Sequence, residues 1–495
     1  MLRRLFLFLV WGGVLSASPC HSDGSCDFGL VCDSGNCDDA VSVPEGAIGE
    51  PCRIDGTCDV FLSCVNAVCC ESGVTQISTV YRDMTARLLR DGEDNMVLGF
   101  TSYGEPWNVP NNGDYDIYLV KIDGDGRYAW KESFGTEYSD FLKRLAIGKD
   151  NSIWLTGWTQ GEFFGHAKSD SVIHPYEDMF VARLDQKGAI LFVRQFTRPL
   201  ALSFAKMFDP VEIVITDDGA LLIYNSGAMV FSSDNHDGIG IASLSLTGEI
   251  TKNVVYEETT LRVPLSANSA TSLTNGMIAA AGITDINDNG EDAFVLILDK
   301  DAAVVDKLIV SQSGYMMGEA LEYATAIISD ENDDLYVALS MSYYDEFNGH
   351  FPPSGGRGTG ADTDAYVVKY DKKLNMLWST QVASKGSEGI SHLFILDDGS
   401  LVAVGDTNGD MAVTGEYTGV PYGFWVDIDR STGQVENIEM TPTPQTTINA
   451  VLIHGGYRYL AGTTYASFEE QYEDRKTTCD RAGCSDLYLR RELHE

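Results

Sequence analysis

The segment Asp116-Ile-Tyr-Leu-Val-Lys-Ile-Asp123 is the first of seven similar stretches, six of which begin with Asp and nearly all of which continue with an apolar and aromatic run. The other six begin at Asp178, Asp237, Asp292, Asp364, Tyr422 and Asp486. Six steps lead from residue 116 to residue 486, so the period is about 62 residues. A period of this length, with several strands in each unit, is typical of a radial or stacked repeat protein.

The sequence around each stretch predicts three further strands. In the clearest unit, strand a is Phe141–Ile147, strand b is Ile153–Thr159, strand c is Met179–Leu184 and strand d is Ile190–Phe196. β-branched and aromatic residues fill these segments, and Gly, Asn and Asp occupy the short turns between them. Four antiparallel strands in seven units predict an all-β fold, a β-propeller of seven four-stranded blades, with six or eight blades as alternatives.

The two ends of the repeat region predict how the ring closes. The last unit stops after its strand c, Asp486–Leu493, and lacks a strand d. An unassigned strand, Thr75–Tyr81, precedes the first strand a at Thr85–Leu89. We expect this N-terminal strand to pair as the outer strand of the last blade, which would leave no open blade.

The second unit resembles a known repeat. Asp150-Asn-Ser-Ile-Trp-Leu-Thr-Gly-Trp-Thr159, followed by Asp178-Met-Phe-Val-Ala-Arg-Leu-Asp185 and Gly188, is similar to the SBBP β-propeller repeat. The likeness extends over roughly residues 80–495, although the third unit lacks the aromatic residue of strand c. The resemblance implies the propeller fold, and it brings no catalytic residue with it.

The N-terminal region predicts export and a disulfide-rich module. Residues 1–18 have the basic, apolar and small-residue parts of a signal peptide, so we expect a secreted, extracellular protein. Residues 19–70 contain the spacing C-x5-C-x5-C-x4-C twice, and residues 74–495 form the propeller region. The expected disulfide cysteines are Cys20, Cys26, Cys32, Cys37, Cys52, Cys58, Cys64 and Cys69, with Cys479 and Cys484 closing a later loop.

The module resembles small disulfide repeats of the Dickkopf N-terminal type, and its cysteines lack the C-x2-C spacing of a zinc site. The total of 11 cysteines is odd. Cys70 is therefore the candidate for a free thiol or for the bridge of a disulfide-linked dimer.

The net charge of −39 restricts the choice of partner. Because a chain this acidic repels phosphate backbones and anionic lipid, we expect neither nucleic acid nor a membrane surface as its partner. No segment after the signal peptide is long and apolar enough for a membrane span. Calcium is the candidate cofactor, with Asp285, Asn287, Asn289 and Asp292 as the candidate metal ligands. The other interpretation of this acidic loop, and of the acids generally, is solvated surface.

The long loops between strands b and c predict the binding face, because loops on a rigid scaffold carry binding residues. Exposed aromatic side chains there suit a glycan or a protein. The candidate ligand-binding residues are Trp107, Phe163, His174, Tyr176, Tyr344, Phe347, Tyr417 and Phe468. The alternative is that these aromatics pack their own loops against the ring.

The sequence favours a non-catalytic role in binding, adhesion or the extracellular matrix, with an extracellular glycan or protein as partner. It contains no nucleophile elbow, zinc-protease helix or phosphate-binding loop. The alternative is a propeller enzyme, such as a polysaccharide lyase, hydrolase or quinoprotein, with its site in the central funnel. An enzyme would require converging titratable groups with shifted pKa values, whereas a binding protein would require an exposed aromatic patch.

Overall fold

A computed structural model shows that the chain divides into two compact units, Met1–Ser72 and Gly73–Glu495. The structure describes residues 18–19, 30–33, 36–39, 62–65, 68–71, 74–77, 83–124, 126–163, 178–196, 207–227, 238–257, 265–284, 290–310, 320–342, 363–384, 386–411, 417–465 and 485–493.

The first unit contains two β-hairpins that match the duplicated cysteine spacing. One sheet is formed by β1 (Ser18–Pro19), β2 (Leu30–Asp33) and β3 (Asn36–Asp39), and the other by β4 (Leu62–Val65) and β5 (Val68–Glu71). The register places Cys32 opposite Cys37 in the first hairpin and Cys64 opposite Cys69 in the second. The repeat of the sequence is therefore also a repeat of backbone structure, while the pairing of the cysteines stays a prediction.

The second unit is a propeller of seven four-stranded blades, as predicted. The innermost strands are β7 (Asp83–Arg90), β11 (Asp140–Ile147), β15 (Met207–Ile215), β19 (Leu265–Ser272), β23 (Ala320–Ser329), β27 (Glu388–Ile395) and β31 (Ala450–His454). The second strands are β8 (Met96–Ser102), β12 (Ile153–Thr159), β16 (Gly219–Gly227), β20 (Ile278–Thr284), β24 (Leu335–Ser342), β28 (Leu401–Gly409) and β32 (Tyr457–Thr464). The third strands are β9 (Asp116–Ile122), β13 (Asp178–Leu184), β17 (Gly238–Ser245), β21 (Gly290–Leu298), β25 (Thr363–Tyr370), β29 (Tyr417–Ile428) and β33 (Asp486–Leu493). The outer strands of the first six blades are β10 (Tyr128–Phe134), β14 (Ile190–Phe196), β18 (Ile250–Glu257), β22 (Val304–Val310), β26 (Met376–Val382) and β30 (Val435–Met440).

The ring closes through the N-terminal strand, which confirms the prediction. Strand β6 (Val74–Ile77) pairs antiparallel with β33 and completes the last blade in the order β31-β32-β33-β6. A second link joins the ends of the ring. The Asp83 N–H donates to the Ser485 carbonyl at 2.7 Å, and the Ser485 hydroxyl donates to the Asp83 carbonyl at 2.7 Å.

The core lies between the blades rather than within them. Val97 and Leu119 of the first blade pack in one cluster with Leu142, Leu155 and Phe180 of the second. The third strands β9 and β13 are buried along their whole length, whereas the outer strands β10 and β14 are mostly half-buried. The apolar third strands therefore supply the contacts that hold neighbouring blades together.

The third blade explains why its sequence lacks an aromatic residue in strand c. In the other six blades this position is aromatic, and in four of them glycine lies opposite it on the second strand; Phe180 opposite Gly157 is one example. In the third blade the pair is exchanged, so Tyr224 on β16 lies opposite Gly240 on β17. One aromatic ring therefore fills the same space from the other strand.

Candidate functional site

A shared irregularity of the innermost strands positions side chains in the centre of the ring. Six of these strands have a register shift near their middle, just before residues Arg87, Arg144, Glu212, Ser269, Ala326 and His392. A bulge breaks the alternation of a strand and changes the direction of a side chain. Polar residues at these positions therefore reach the central channel without disturbing the apolar faces between the blades.

The channel holds a cavity of about 400 Å³ to which all seven innermost strands contribute. Its polar lining includes Arg87, Arg144, Glu212, Ser269, Thr325, Ser391, His392 and Asn449. Apolar side chains line the rest of the wall, among them Leu89, Val214, Ile328 and Phe394. Every blade contributes at least one polar residue, and these residues are of six kinds although the blades are built on one repeated pattern.

Two arginines and one carboxylate form the centre of this lining. The Arg144 Nε atom donates to Glu212 Oε2 at 3.3 Å, and the two side chains are 17% and 24% exposed. The Arg87 Nε atom donates to the Lys143 carbonyl at 3.0 Å, and Arg144 Nη1 donates to the same carbonyl at 3.1 Å. One carbonyl thus brings the two guanidinium groups close together.

The cavity shifts the ionisation of the groups that line it. Burial, followed by the nearby Arg144 cation, lowers the pKa of Arg87 to about 9. Burial raises the pKa of Glu212, against the effect of Arg144. Burial and the positive charges of the two arginines lower the pKa of His392 well below its usual value, so this imidazole is neutral at pH 7.

The neutral His392 is held next to a hydroxyl group. Its Nδ1 atom lies 3.0 Å from Ser391 Oγ. An imidazole next to a hydroxyl, with guanidinium groups in the same cavity, can bind a polar ligand by hydrogen bonds or exchange a proton with it.

A second ion pair belongs to the same inner strands. Lys143 Nζ lies 3.7 Å from Asp209 Oδ1 and 4.0 Å from the centre of the Trp158 ring. Burial lowers the pKa of Lys143 and raises that of Asp209. Because this cation and this anion face each other, the pair adds no net charge to the channel.

The loop aromatics predicted from the sequence pack onto the ring where the structure describes them. Trp107 makes an edge contact with Phe100 at 5.9 Å and lies 5.0 Å from Lys131 Nζ. Phe163 is 3% exposed and packs on Phe180 at 4.9 Å, so it leaves little surface for a ligand. Tyr417 begins strand β29, and His174, Tyr176, Tyr344, Phe347 and Phe468 lie outside the described residues.

The predicted calcium ligands are described only at Asp292. This residue lies opposite Thr284 within the sheet and is 6% exposed, while Asp285, Asn287 and Asn289 lie outside the described residues. Where side chains are described, no three His, Cys, Asp or Glu residues are grouped closely enough to hold a metal ion. Calcium binding stays a prediction.

Many acids of the repeated stretches serve the fold. At the start of its stretch, Asp116 is fully buried and accepts the Asn112 N–H at 2.5 Å. At the end of its stretch, Asp185 accepts the N–H groups of Lys187 and Ala189 and so stabilises the turn. The acidic composition is therefore partly a property of the repeat and is not only solvated surface.

The channel residues were missed in the sequence, although a signal for them exists. Arg87, Arg144, Glu212 and His392 each stand near the middle of strand a. An ionisable residue at the same place in several innermost strands is the signal that points to this channel.

Comparisons with known proteins find likenesses among solved structures only. No protein-family model matches the chain, and no curated protein matches it. Among solved structures, the chain is similar to a PL25 ulvan lyase, with 9% identity, a TM-score of 0.47 and coverage of 85% of this chain and 96% of the lyase. A protein of unknown function from Dyadobacter fermentans has 11% identity, a TM-score of 0.41 and coverage of 86% and 100%. The β-propeller domain of the Trilobed protease from Pyrococcus furiosus has 9% identity, a TM-score of 0.40 and coverage of 83% and 98%. We draw no functional argument from likenesses at this level.

The described part of the chain contains no helix that is long and apolar enough to cross a membrane.

Proposed function

We propose that the protein is a secreted, non-catalytic binding protein that uses its propeller to hold an extracellular glycan or protein ligand. One observation carries the proposal. The blades share a repeated framework, yet together they present arginine, glutamate, histidine, asparagine and hydroxyl side chains to one cavity of about 400 Å³. A cavity of this size, with several kinds of polar group and apolar walls, is typical of a small-molecule binding site. In this protein it would bind one sugar or amino-acid residue of a larger ligand.

The loop face offers a second contact surface. The cavity lining runs toward the ends of the innermost strands that lead into the a–b turns, as Ser269–Ser272 of β19 shows, so the b–c loops stand at the other end of the channel and would make a separate contact with a large ligand. Tyr465, which is 48% exposed at the end of β32, is an aromatic side chain available on this face. The loop aromatics predicted from the sequence stay candidates for the same contact.

A glycan and protein binding screen tests the proposal, with and without EDTA. The Thr271→Trp variant would place a large ring at the cavity wall, and Leu191→Trp is its control because Leu191 is 51% exposed on the outer strand β14. We expect the wild type and Leu191→Trp to bind the same ligands, and Thr271→Trp to lose at least tenfold in affinity. Equal binding by all three proteins would place the site elsewhere.

The channel also supports the alternative of an enzyme, for a specific reason. Arg87, Glu212 and His392 have shifted pKa values and line one cavity, which is the arrangement that an active site requires. A neutral His392 next to the Ser391 hydroxyl could act as a base.

Turnover of the bound ligand decides between these functions. Product formation by the wild type, lost in His392→Gln while binding persists, would replace the binding role with a catalytic one. An intact ligand after prolonged incubation would support the binding role.

A further inference from the structure

We infer that the channel binds an anionic group of a saccharide, a carboxylate or a sulfate, between the guanidinium groups of Arg87 and Arg144. This inference rests on the proposed function and names the chemical class of its ligand.

The cluster of Arg87, Arg144 and Glu212 in the channel has a net charge of one positive unit. Arg87 and Arg144 bring two positive charges, and Glu212 brings one negative charge, which Arg144 binds at 3.3 Å. The described hydrogen bonds of Arg87 go to the carbonyls of Lys143 and Ala86, both at 3.0 Å, and none goes to a carboxylate. In a chain whose net charge is −39, an excess of positive charge in the central channel is an exception.

The two guanidinium groups are close enough to share one ligand. Both donate to the Lys143 carbonyl, at 3.0 and 3.1 Å. Two like charges on one carbonyl repel each other, and this repulsion contributes to the low pKa of Arg87. An oxyanion would relieve the repulsion and accept hydrogen bonds from the planar guanidinium forks, which suit carboxylate and sulfate geometry.

The surroundings of the arginines favour a saccharide as the carrier of the acid group. The amide group of Asn449 lines the cavity and can bond to sugar hydroxyls, and the Thr325 hydroxyl, which donates to the Ile390 carbonyl, can still accept a hydrogen bond. The side chains of Leu89 and Phe394 supply an apolar wall for the face of a sugar ring. A dense polyanion is disfavoured because the net charge of the chain repels it, so the acid groups of the ligand should be sparse.

Calorimetric titration of the full chain at pH 7 tests the inference. The probes are sodium glucuronate, sodium sulfate and glucose, which separate a carboxylate source, a sulfate source and a neutral sugar. We expect glucuronate, sulfate or both to bind and glucose to bind at least tenfold more weakly. The Arg87→Gln variant should lose at least tenfold in affinity for the anion, and Arg87→Lys should lose less.

Arg194 provides a matched control. Like Arg87, it donates from Nε to a distant carbonyl, that of Gly248 at 2.8 Å, and from Nη1 to the carbonyl of the preceding residue at 2.9 Å. It lies on the outer strand β14, away from the cavity lining. Arg194→Gln changes the net charge by the same amount and should leave anion binding unchanged.

Three results would overturn the inference. The first is anion binding that persists in Arg87→Gln, and the second is equal weakening in Arg87→Gln and Arg194→Gln. The third is a neutral glycan that binds in the channel while glucuronate and sulfate do not. The third result would contradict the anion inference but not the proposed binding function. The proposed function itself would be wrong if no glycan or protein bound to the channel in the wider screen.

Discussion

The exchanged aromatic residue of the third blade leads to a sharp prediction about packing. Tyr224 is 1% exposed, its hydroxyl group donates to Asn253 at 2.7 Å, and its ring lies over Gly240. A Cβ atom at position 240 would lie 2.1 Å from the ring. In the third blade the ring of Tyr224 therefore occupies the space that a side chain at position 240 would need.

The magnitudes follow from this geometry. Tyr224→Gly removes a fully buried ring, and we expect a loss of about 4 kcal/mol in the free energy of unfolding. Gly240→Tyr alone forces two rings into one space, and we expect it to cost at least about 3 kcal/mol or to prevent folding. The double variant Tyr224→Gly/Gly240→Tyr has glycine on the second strand and an aromatic residue on the third, as four other blades have. We therefore expect it to lose only about 1–2 kcal/mol, much less than the sum of the two single changes, which would show that the two positions are strongly coupled.

Urea unfolding of the three variants measures this coupling, and the second blade supplies the control. There Gly157 faces Phe180, and a Cβ atom at position 157 would lie 1.8 Å from the Phe141 carbonyl of the inner strand. The exchange Phe180→Gly/Gly157→Phe should therefore give no rescue. If the exchange in the third blade costs as much as its two single changes together, our account of the shared space is wrong.

Three further predictions concern charges. At pH 7, Arg87→Gln should raise the free energy of unfolding of the ligand-free protein by about 1–2 kcal/mol. The fall in the pKa of Arg87 from 12.5 to about 9 means that its buried charge destabilises the folded state by at most about 5 kcal/mol, and water in the channel reduces this cost. Between pH 9 and 12.5 the unfolded wild-type chain binds more protons than the folded one, so the stability of the wild type rises with pH and the advantage of Arg87→Gln should shrink above pH 9 in thermal melts. An Arg87→Gln variant that is less stable than the wild type at pH 7 would contradict this prediction. Glu212→Gln should tighten anion binding severalfold in titrations, because it removes the negative charge beside the arginines, whereas weaker binding would show that the carboxylate only positions Arg144. Burial, with the nearby Asp292 charge, raises the pKa of Glu322 to about 7, so its favourable contribution is present below pH 4.5 and is lost as the pH rises through 7. Glu322→Gln should therefore gain about 1–3 kcal/mol at pH 8 and nothing at pH 4, and equal effects at both pH values would refute this.

The fold could be predicted from the sequence because its signals are local and repeated. Asp185 and Gly188 are the two ends of one short turn, and the carboxylate of Asp185 accepts backbone N–H groups across that turn. Seven repeats of such signals predict the blade count even where one unit is irregular. The third unit looked weak only because its aromatic residue is Tyr224, on the neighbouring strand.

The channel could not be predicted in the same way, for two physical reasons. The side chains of a regular strand alternate between its faces, but the bulge between Leu142 and Arg144 changes that order, so the sequence does not show which side chain faces the channel. The partners are also distant in the chain, as Arg144 and Glu212 are 68 residues apart. Such a pair requires the ring to be assembled before its members can be recognised.

In the anion-binding role that we propose, the distribution of charge would give the channel a selectivity that neither the net charge nor the arginines would give alone. Acids on the surface of the ring repel a long polyanion at every repeat unit. At physiological salt this repulsion fades over about 8 Å, so a single acid group inside the channel responds mainly to the nearest cations. Arg87 and Arg144 are those cations, and the enclosed setting that lowers the pKa of Arg87 also strengthens its attraction for an anion. A strongly acidic protein can therefore select a ligand with isolated acid groups and reject one that carries them densely.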